Sequence, residues 1–120
     1  MKGFKDLIVY QKAFSLAMDI FEITKKFPRE ETYGLIDQMR RSSRSVCGCL
    51  AESYRKRKYP AHFVNKLTDA DMENAETSVW IDLSFTCKYI TQKEHISLCE
   101  RNDEVGRILG RMIQNPEKFL

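Results

Sequence analysis

The side chains in this sequence best suited to chemistry are its thiols, its two histidines and a dense set of basic residues. The stretch SVCGCLAESYRKRKYP, residues 45–60, holds Cys47 and Cys49 one residue apart, followed by Arg55, Lys56, Arg57 and Lys58. On a helix two such thiols point about 200° apart, so they cannot grip one ion from the same helix. Zinc favours C-x-x-C spacing or its histidine variants, and neither occurs. A di-iron carboxylate site needs Glu-x-x-His on two helices. His62 and His95 have Tyr59 and Gln92 at that position instead. There is no glycine-rich phosphate loop of the P-loop type and no G-x-S-x-G nucleophile turn. These patterns predict no catalytic residue, no cofactor, no metal and no small-molecule substrate. Met1 to Asp6 lack an apolar stretch behind their basic residues, so no export signal is expected and the expected location is the cytoplasm. Thiols stay reduced there, and Cys47, Cys49, Cys87 and Cys99 then read as small, soft packing residues.

The charges carry more information. Net charge is +3, yet residues 40–58 alone carry +6, from Arg40, Arg41, Arg44, Arg55, Lys56, Arg57 and Lys58 against Glu52. The remainder is therefore at −3, and Asp69, Asp71, Glu73 and Glu76 form an acidic run just afterwards. Arg41, Arg44 and Arg55 fall on one helical line, flanked by Arg40 and continued by Lys56, Arg57 and Lys58. Such a strip suits phosphate contacts with DNA or RNA, without an evident base-reading set. The competing uses are a solvated face and ion pairing with the acidic run of a neighbouring subunit. Glu52 and Glu76 are a candidate acid pair, but the favoured expectation is structural, each meeting an arginine or capping a polar patch.

Helices must position these groups. Residues 6–27 show two apolar stripes at three-four spacing: Leu7, Tyr10, Phe14, Ala17, Phe21, Thr24, and Val9, Ala13, Leu16, Ile20, Ile23, Phe27. Phe27-Pro28 ends this helix. A second spans about 30–57, with a core stripe of Ile36, Met39, Ser43, Val46, Leu50 and Tyr54. A third spans about 60–90 from Pro60, through Phe63, Leu67, Ala70, Asn74, Thr77 and Ile81. Thr91 to Glu94 form a capping box that starts a fourth, about 92–114. It carries Leu98, Val105, Leu109 and Met112, with Gly106 and Gly110 marking a close helix contact. Short connections make sequential helices antiparallel neighbours. The expectation is all-α, an up-and-down antiparallel four-helix bundle filling residues 1–120 as one domain. The second stripe of the first helix and the apolar half of the third, from Val79 to Ile90, exceed what a lone bundle needs. Leu16, Ile20, Ile23, Trp80 and Phe85 are thus expected at an interface between subunits. No transmembrane span is expected.

The run FKDLIVYQKAFSLAMDIFEITKKFP resembles the opening of the four helix bundle protein family. These are small bacterial proteins first noted in intervening sequences of large-subunit ribosomal RNA genes. Glu31, Tyr33, Leu35, Gln38, Arg40-Arg41, Ser45-Val46, Leu50-Ala51-Glu52, Phe63, Leu67, Ala70 and Glu76 extend the resemblance. The family's Asn-Ile-Ala-Glu-Gly stands here as Cys49-Leu50-Ala51-Glu52-Ser53, and its small Gly-Ser pair as Met72-Glu73. The resemblance implies a cytoplasmic bacterial protein without known catalytic activity, assembled as ring-like pentamers. Relatives include the accessory protein of diversity-generating retroelements, which works with a reverse transcriptase and nucleic acid. Residues and resemblance together predict a non-enzymatic homo-oligomeric scaffold that contacts nucleic acid or a nucleic-acid-handling protein. The alternatives are a purely protein–protein scaffold and a small enzyme with a pocket between subunits.

Overall fold

A computed structural model describes residues 3–120. Among them there are four α-helices and no strand: α1 (Ile8–Thr24), α2 (Asp37–Arg55), α3 (Pro60–Thr86) and α4 (Gln92–Gln114). Each helix packs on the next, and α4 closes back on α1. The molecule measures 45 × 24 × 22 Å, a long axis close to the roughly 40 Å length of α3 at 1.5 Å per residue. No helix among the described residues is long and apolar enough to cross a membrane.

The expected α4 start is present in full. Thr91 Oγ1 accepts from the Glu94 amide at 3.1 Å, and Glu94 Oε1 accepts from the Thr91 amide at 2.9 Å. Glu94 also accepts from Lys26 Nζ at 2.6 Å. The Lys26 bond and then the Thr91 amide hold its carboxyl below the usual carboxylate range.

Two boundaries differ from expectation. The second helix does not run from residue 30. A tight turn over Arg29–Glu31 and a wide turn over Thr32–Ile36 precede α2. The break is at Gly34, where a Cβ would lie 2.5 Å from Glu31 Oε1. Glycine lets the Glu31 side chain fold over the turn, accepting from the Leu35 amide at 3.2 Å and from the Tyr89 hydroxyl at 2.9 Å. Nor does the third helix reach residue 90. It stops at Thr86, and Lys88 turns the chain with φ 66°. The amides of Lys88 and Tyr89 donate to Phe85 O and Ser84 O, both at 2.9 Å. That is the Schellman termination, in which a left-handed residue lets two amides satisfy the last carbonyls.

The core divides along the long axis. One apolar cluster contains Leu7, Val9, Ala13, Val46, Leu50, Phe63, Leu67, Val105, Leu109 and Met112. The other contains Leu16, Ile20, Phe27, Leu35, Met39, Ile81, Ile90 and Leu98. Buried polar side chains from α2, α3 and α4 lie at the level of residues 42, 74, 77 and 102. Ser42 and Thr77 hydroxyls meet at 2.7 Å. The Asn74 and Asn102 amides each donate to the other's backbone carbonyl at 3.1 Å. Gly106 admits this arrangement, since a Cβ there would lie 2.9 Å from Asn74 Nδ2.

The subunit-interface expectation needs correction at two residues. Leu16 and Ile20 are 3% and 0% exposed, inside this chain's own core. The physical reason is that α1 packs on both α2 and α4, which together cover most of two adjacent stripes. Ile23 and Trp80 are half-buried against the second apolar cluster. Phe85 remains exposed, stacked on His95 with ring centroids 4.3 Å apart. Other large apolar side chains left outside include Phe14 and Met18 on α1, and Met72, Val79 and Leu83 on α3.

Candidate nucleic-acid interface

The basic residues sit on α2 and the turn after it, but they do not form one uniform strip. Arg41, Arg44 and Arg55 are exposed on α2, and their spacing keeps them on one face. Arg40 is turned inward. Its Nε donates to Thr24 Oγ1 at 2.9 Å and its Nη2 to Phe21 O at 3.3 Å, with the guanidinium 4.6 Å from the Phe21 ring centre. A cation there satisfies carbonyls at the end of α1 and complements its dipole. Arg40 is thus a structural clamp rather than an open phosphate ligand.

Arg41 is also engaged. It reaches across to α3, with Nη1 3.2 Å from Glu73 and Nη2 3.1 Å from Glu76. Burial pushes the Glu73 carboxyl up, but hydrogen bonds with Glu76 and Ser45 and the Arg41 charge outweigh it and hold it below the usual range. Glu76 is raised by its hydrogen bond to Glu73, by burial and by the Glu73 charge. Glu52 meets Lys66 at 2.9 Å rather than an arginine. Glu52 and Glu76 are thus not brought together, and the acidic run is largely paired within the chain through Arg41 and Lys66.

What stays open lies at the end of α2. A shallow cleft there is lined by Phe4, Lys5, Asp6, Tyr54, Arg55, Arg57 and Lys58. Among the described residues Lys5, Arg55, Lys56 and Lys58 form no salt bridge within 4 Å. Arg57 lies flat on the Tyr54 ring at 3.6 Å and donates to Tyr54 O at 3.0 Å. This orients its guanidinium while leaving an edge for an anion. Phe4 packs edge-on against Tyr10 at 5.2 Å. Lys5 was not legible as a member of this group, because it lies some fifty residues away in sequence and arrives through the short turn over Phe4–Asp6. A second basic hollow, lined by Arg40, Arg41 and Arg44 with Thr32, Ile36 and Asp37, keeps only Arg44 largely uncommitted, beside the Phe21 ring at 5.7 Å.

Cys47 and Cys49 behave as packing residues near this face, whereas Cys87, expected to pack, is exposed. Cys47 and Cys49 are half-buried against the first apolar cluster, and all four cysteines are free. Burial pushes the Cys47 thiol up to about 11 and raises Cys49 as well, so neither is a ready thiolate. Sequence spacing did miss one constellation: Asp82, His95 and Cys99 converge across the α3–α4 turn. The readable trace was His95 and Cys99 four residues apart on one helix face.

Comparison with known proteins places this geometry in context. A solved structure from Bacteroides thetaiotaomicron, described as a protein of unknown function from the S23 ribosomal protein family, superposes with a TM-score of 0.81 at 25% identity. The alignment covers 89% of this chain and 96% of that one. A comparison with curated proteins finds no significant match. The family model described as 23S rRNA-intervening sequence protein matches residues 5–111, nearly the whole folded region, and the chain belongs to that family.

Proposed function

We propose that the protein is a non-enzymatic homo-oligomeric scaffold, a ring of antiparallel up-and-down four-helix bundles, that binds nucleic acid through the cleft at the end of α2. The opposed numerical order of paired residues supports the antiparallel reading: Lys12 with Glu104, Asp19 with Arg101, and Lys26 with Glu94. The observation that carries the binding reading is the set of cations lining that cleft that form no salt bridge among the described residues, Lys5, Arg55 and Lys58, beside the Tyr54-stacked Arg57. Membership of a family of rRNA-intervening sequence proteins is consistent with a nucleic-acid partner in the cytoplasm. A pentamer, as the family resemblance implies, would repeat the cleft around the ring and multiply weak phosphate contacts through effective concentration.

Binding of this kind is sequence-tolerant and weakens steeply with salt, because each neutralised phosphate releases counterions. The test is a gel shift with DNA and RNA at several salt concentrations, on wild type and on a variant with Arg55, Arg57 and Lys58 all changed to Glu. The expected result is salt-sensitive binding in wild type and none in the variant, with helicity and oligomer mass unchanged. Absence of salt-sensitive binding in a folded wild type overturns the reading in favour of a protein–protein scaffold. Loss of oligomer mass in the variant would instead assign these cations to the subunit interface.

A further inference from the structure

We propose that Asp82, His95 and Cys99 form a binding site for a divalent transition metal of the zinc class. The three residues come from two helices and present three different donor atoms. His95 Nε2 lies 2.9 Å from Asp82 Oδ1 and 3.4 Å from Cys99 Sγ. Cys99 Sγ lies 3.8 Å from Asp82 Oδ1. A tetrahedral zinc ion, with Zn–N and Zn–O near 2.0–2.1 Å and Zn–S near 2.3 Å, sets its ligand atoms about 3.3 Å (N to O) and about 3.6 Å (N or O to S) apart. The observed triangle matches those edges to within a few tenths of an ångström, so small rotamer changes suffice.

The contacts also argue against a nucleophilic triad. Thiol and carboxylate both address the same imidazole nitrogen, Nε2. A base relay needs them on opposite nitrogens, with the carboxylate orienting one and the nucleophile meeting the other. Three donors converging on one point are what an ion requires. Helix spacing provides two of them, since His95 and Cys99 are four apart on α4 and face the same way. The Schellman turn at Lys88 folds α4 back onto α3 and brings Asp82 opposite. Stacking on Phe85 holds the imidazole plane, the orientation that a metal-bound histidine needs.

The donor set selects the metal. Sulfur and imidazole nitrogen favour zinc, cobalt, nickel or copper over magnesium or calcium, which prefer all-oxygen sites. A metal-bound thiol is a thiolate, so Cys99 loses its proton on binding. Asp82 is largely exposed, which leaves the fourth corner to water. Such a three-ligand site is open in the manner of metals that keep an exchangeable position.

The experiment is a titration of the reduced full chain with Co²⁺, followed by displacement with Zn²⁺. Expected are one equivalent bound per chain, a near-ultraviolet thiolate-to-cobalt charge-transfer band, and visible bands of a tetrahedral site. Cys99→Ser removes the charge-transfer band, and His95→Gln and Asp82→Asn each weaken binding by at least tenfold. A Cys47, Cys49 and Cys87 triple serine variant retains the band. All three proposed ligands are at least partly exposed, so circular dichroism of each variant is expected to match wild type. No charge-transfer band in the wild type overturns the proposal. So does a band that survives Cys99→Ser, or one lost in the triple serine variant. Mg²⁺ at millimolar concentration is expected to leave the cobalt signal unchanged, and its displacing cobalt would equally refute the assignment.

Discussion

Arg40 and Arg41 are adjacent in sequence, alike in chemistry, and used in opposite directions. Arg40 clamps the end of α1 through Thr24 and Phe21. Arg41 holds the Glu73–Glu76 pair on α3. Their line on a helical wheel predicted a shared surface, but a wheel carries no information about which neighbour a long side chain will find. The carboxyl pair has a measurable signature. Glu76 is raised in the folded protein, so the stability it contributes is complete below the ordinary carboxylate pKa and is lost as pH rises through its raised value. Glu73 is lowered, so its contribution is present above the ordinary value and is lost as pH falls through the lowered one. Glu76→Gln keeps a donor to Glu73 and removes the repelled charge. The variant is expected to match wild type below the ordinary carboxylate range and to become the more stable of the two as pH rises through the raised value of Glu76. Urea unfolding across that range measures the difference. A variant less stable than wild type at neutral pH would mean that the Arg41–Glu76 ion pair outweighs the repulsion.

At the scale of elements, the α3–α4 turn holds a residue that pays a conformational penalty. Lys88 sits at φ 66°, which costs an L-residue about 1–2 kcal/mol. Lys88→Gly removes that cost but adds flexibility to the unfolded chain, worth roughly 0.5–1 kcal/mol in the other direction. The net expectation is a gain of about 0.5–1 kcal/mol, read as a rise of roughly 2–4 °C in melting temperature. A fall in melting temperature would indicate that the Lys88 side chain makes a stabilising contact of its own.

The same turn shows where sequence reasoning about elements succeeds and stops. Thr91 and Glu94 announce the start of α4 because a capping box is local, made by residues three apart. The end of α3 is equally local in its hydrogen bonds, yet the usual glycine is missing and Lys88 takes its place, so apolar residues up to Ile90 read as continuing helix. Gly34 could have been read as a break, but Glu30 and Glu31 also suit a helix start. The bond from Tyr89 to Glu31, fifty-eight residues apart, has no local signal. The Asp82, His95 and Cys99 grouping was hidden for the same reason: two of its members share a helix face, and the third depends on how α3 and α4 meet. Core positions were far more legible. Phe63, Leu67, Ala70, Asn74, Thr77 and Ile81 were expected on one stripe and are all buried, because helical period alone decides which side chains share a face.

For the whole molecule, the proposed assembly depends on which apolar surface the single chain leaves uncovered. Leu16 and Ile20 belong to the core of one chain, whereas Phe14 is 51% and Val79 52% exposed. Phe14 and Met18 share a face of α1, and Met72, Val79 and Leu83 a face of α3. These helices do not follow one another, and each packs on both α2 and α4, so the two exposed faces point away from different sides of the chain. Two unlike apolar faces on separate sides suit a heterologous contact, α1 of one copy against α3 of the next, which generates a closed ring when the rotation permits. Substitutions separate core from interface. Leu16→Asp is expected to unfold the chain, since an unpaired buried charge together with the lost packing costs several kcal/mol out of a total stability of about 5–15 kcal/mol. Phe14→Glu and Val79→Glu are expected to leave helicity and thermal unfolding of the single chain intact while reducing the mass to a monomer. Light scattering at micromolar concentration, paired with circular dichroism, reads both quantities on the same samples. A folded Phe14→Glu, Val79→Glu double variant with the mass of wild type, or a wild type that is itself monomeric, defeats the ring.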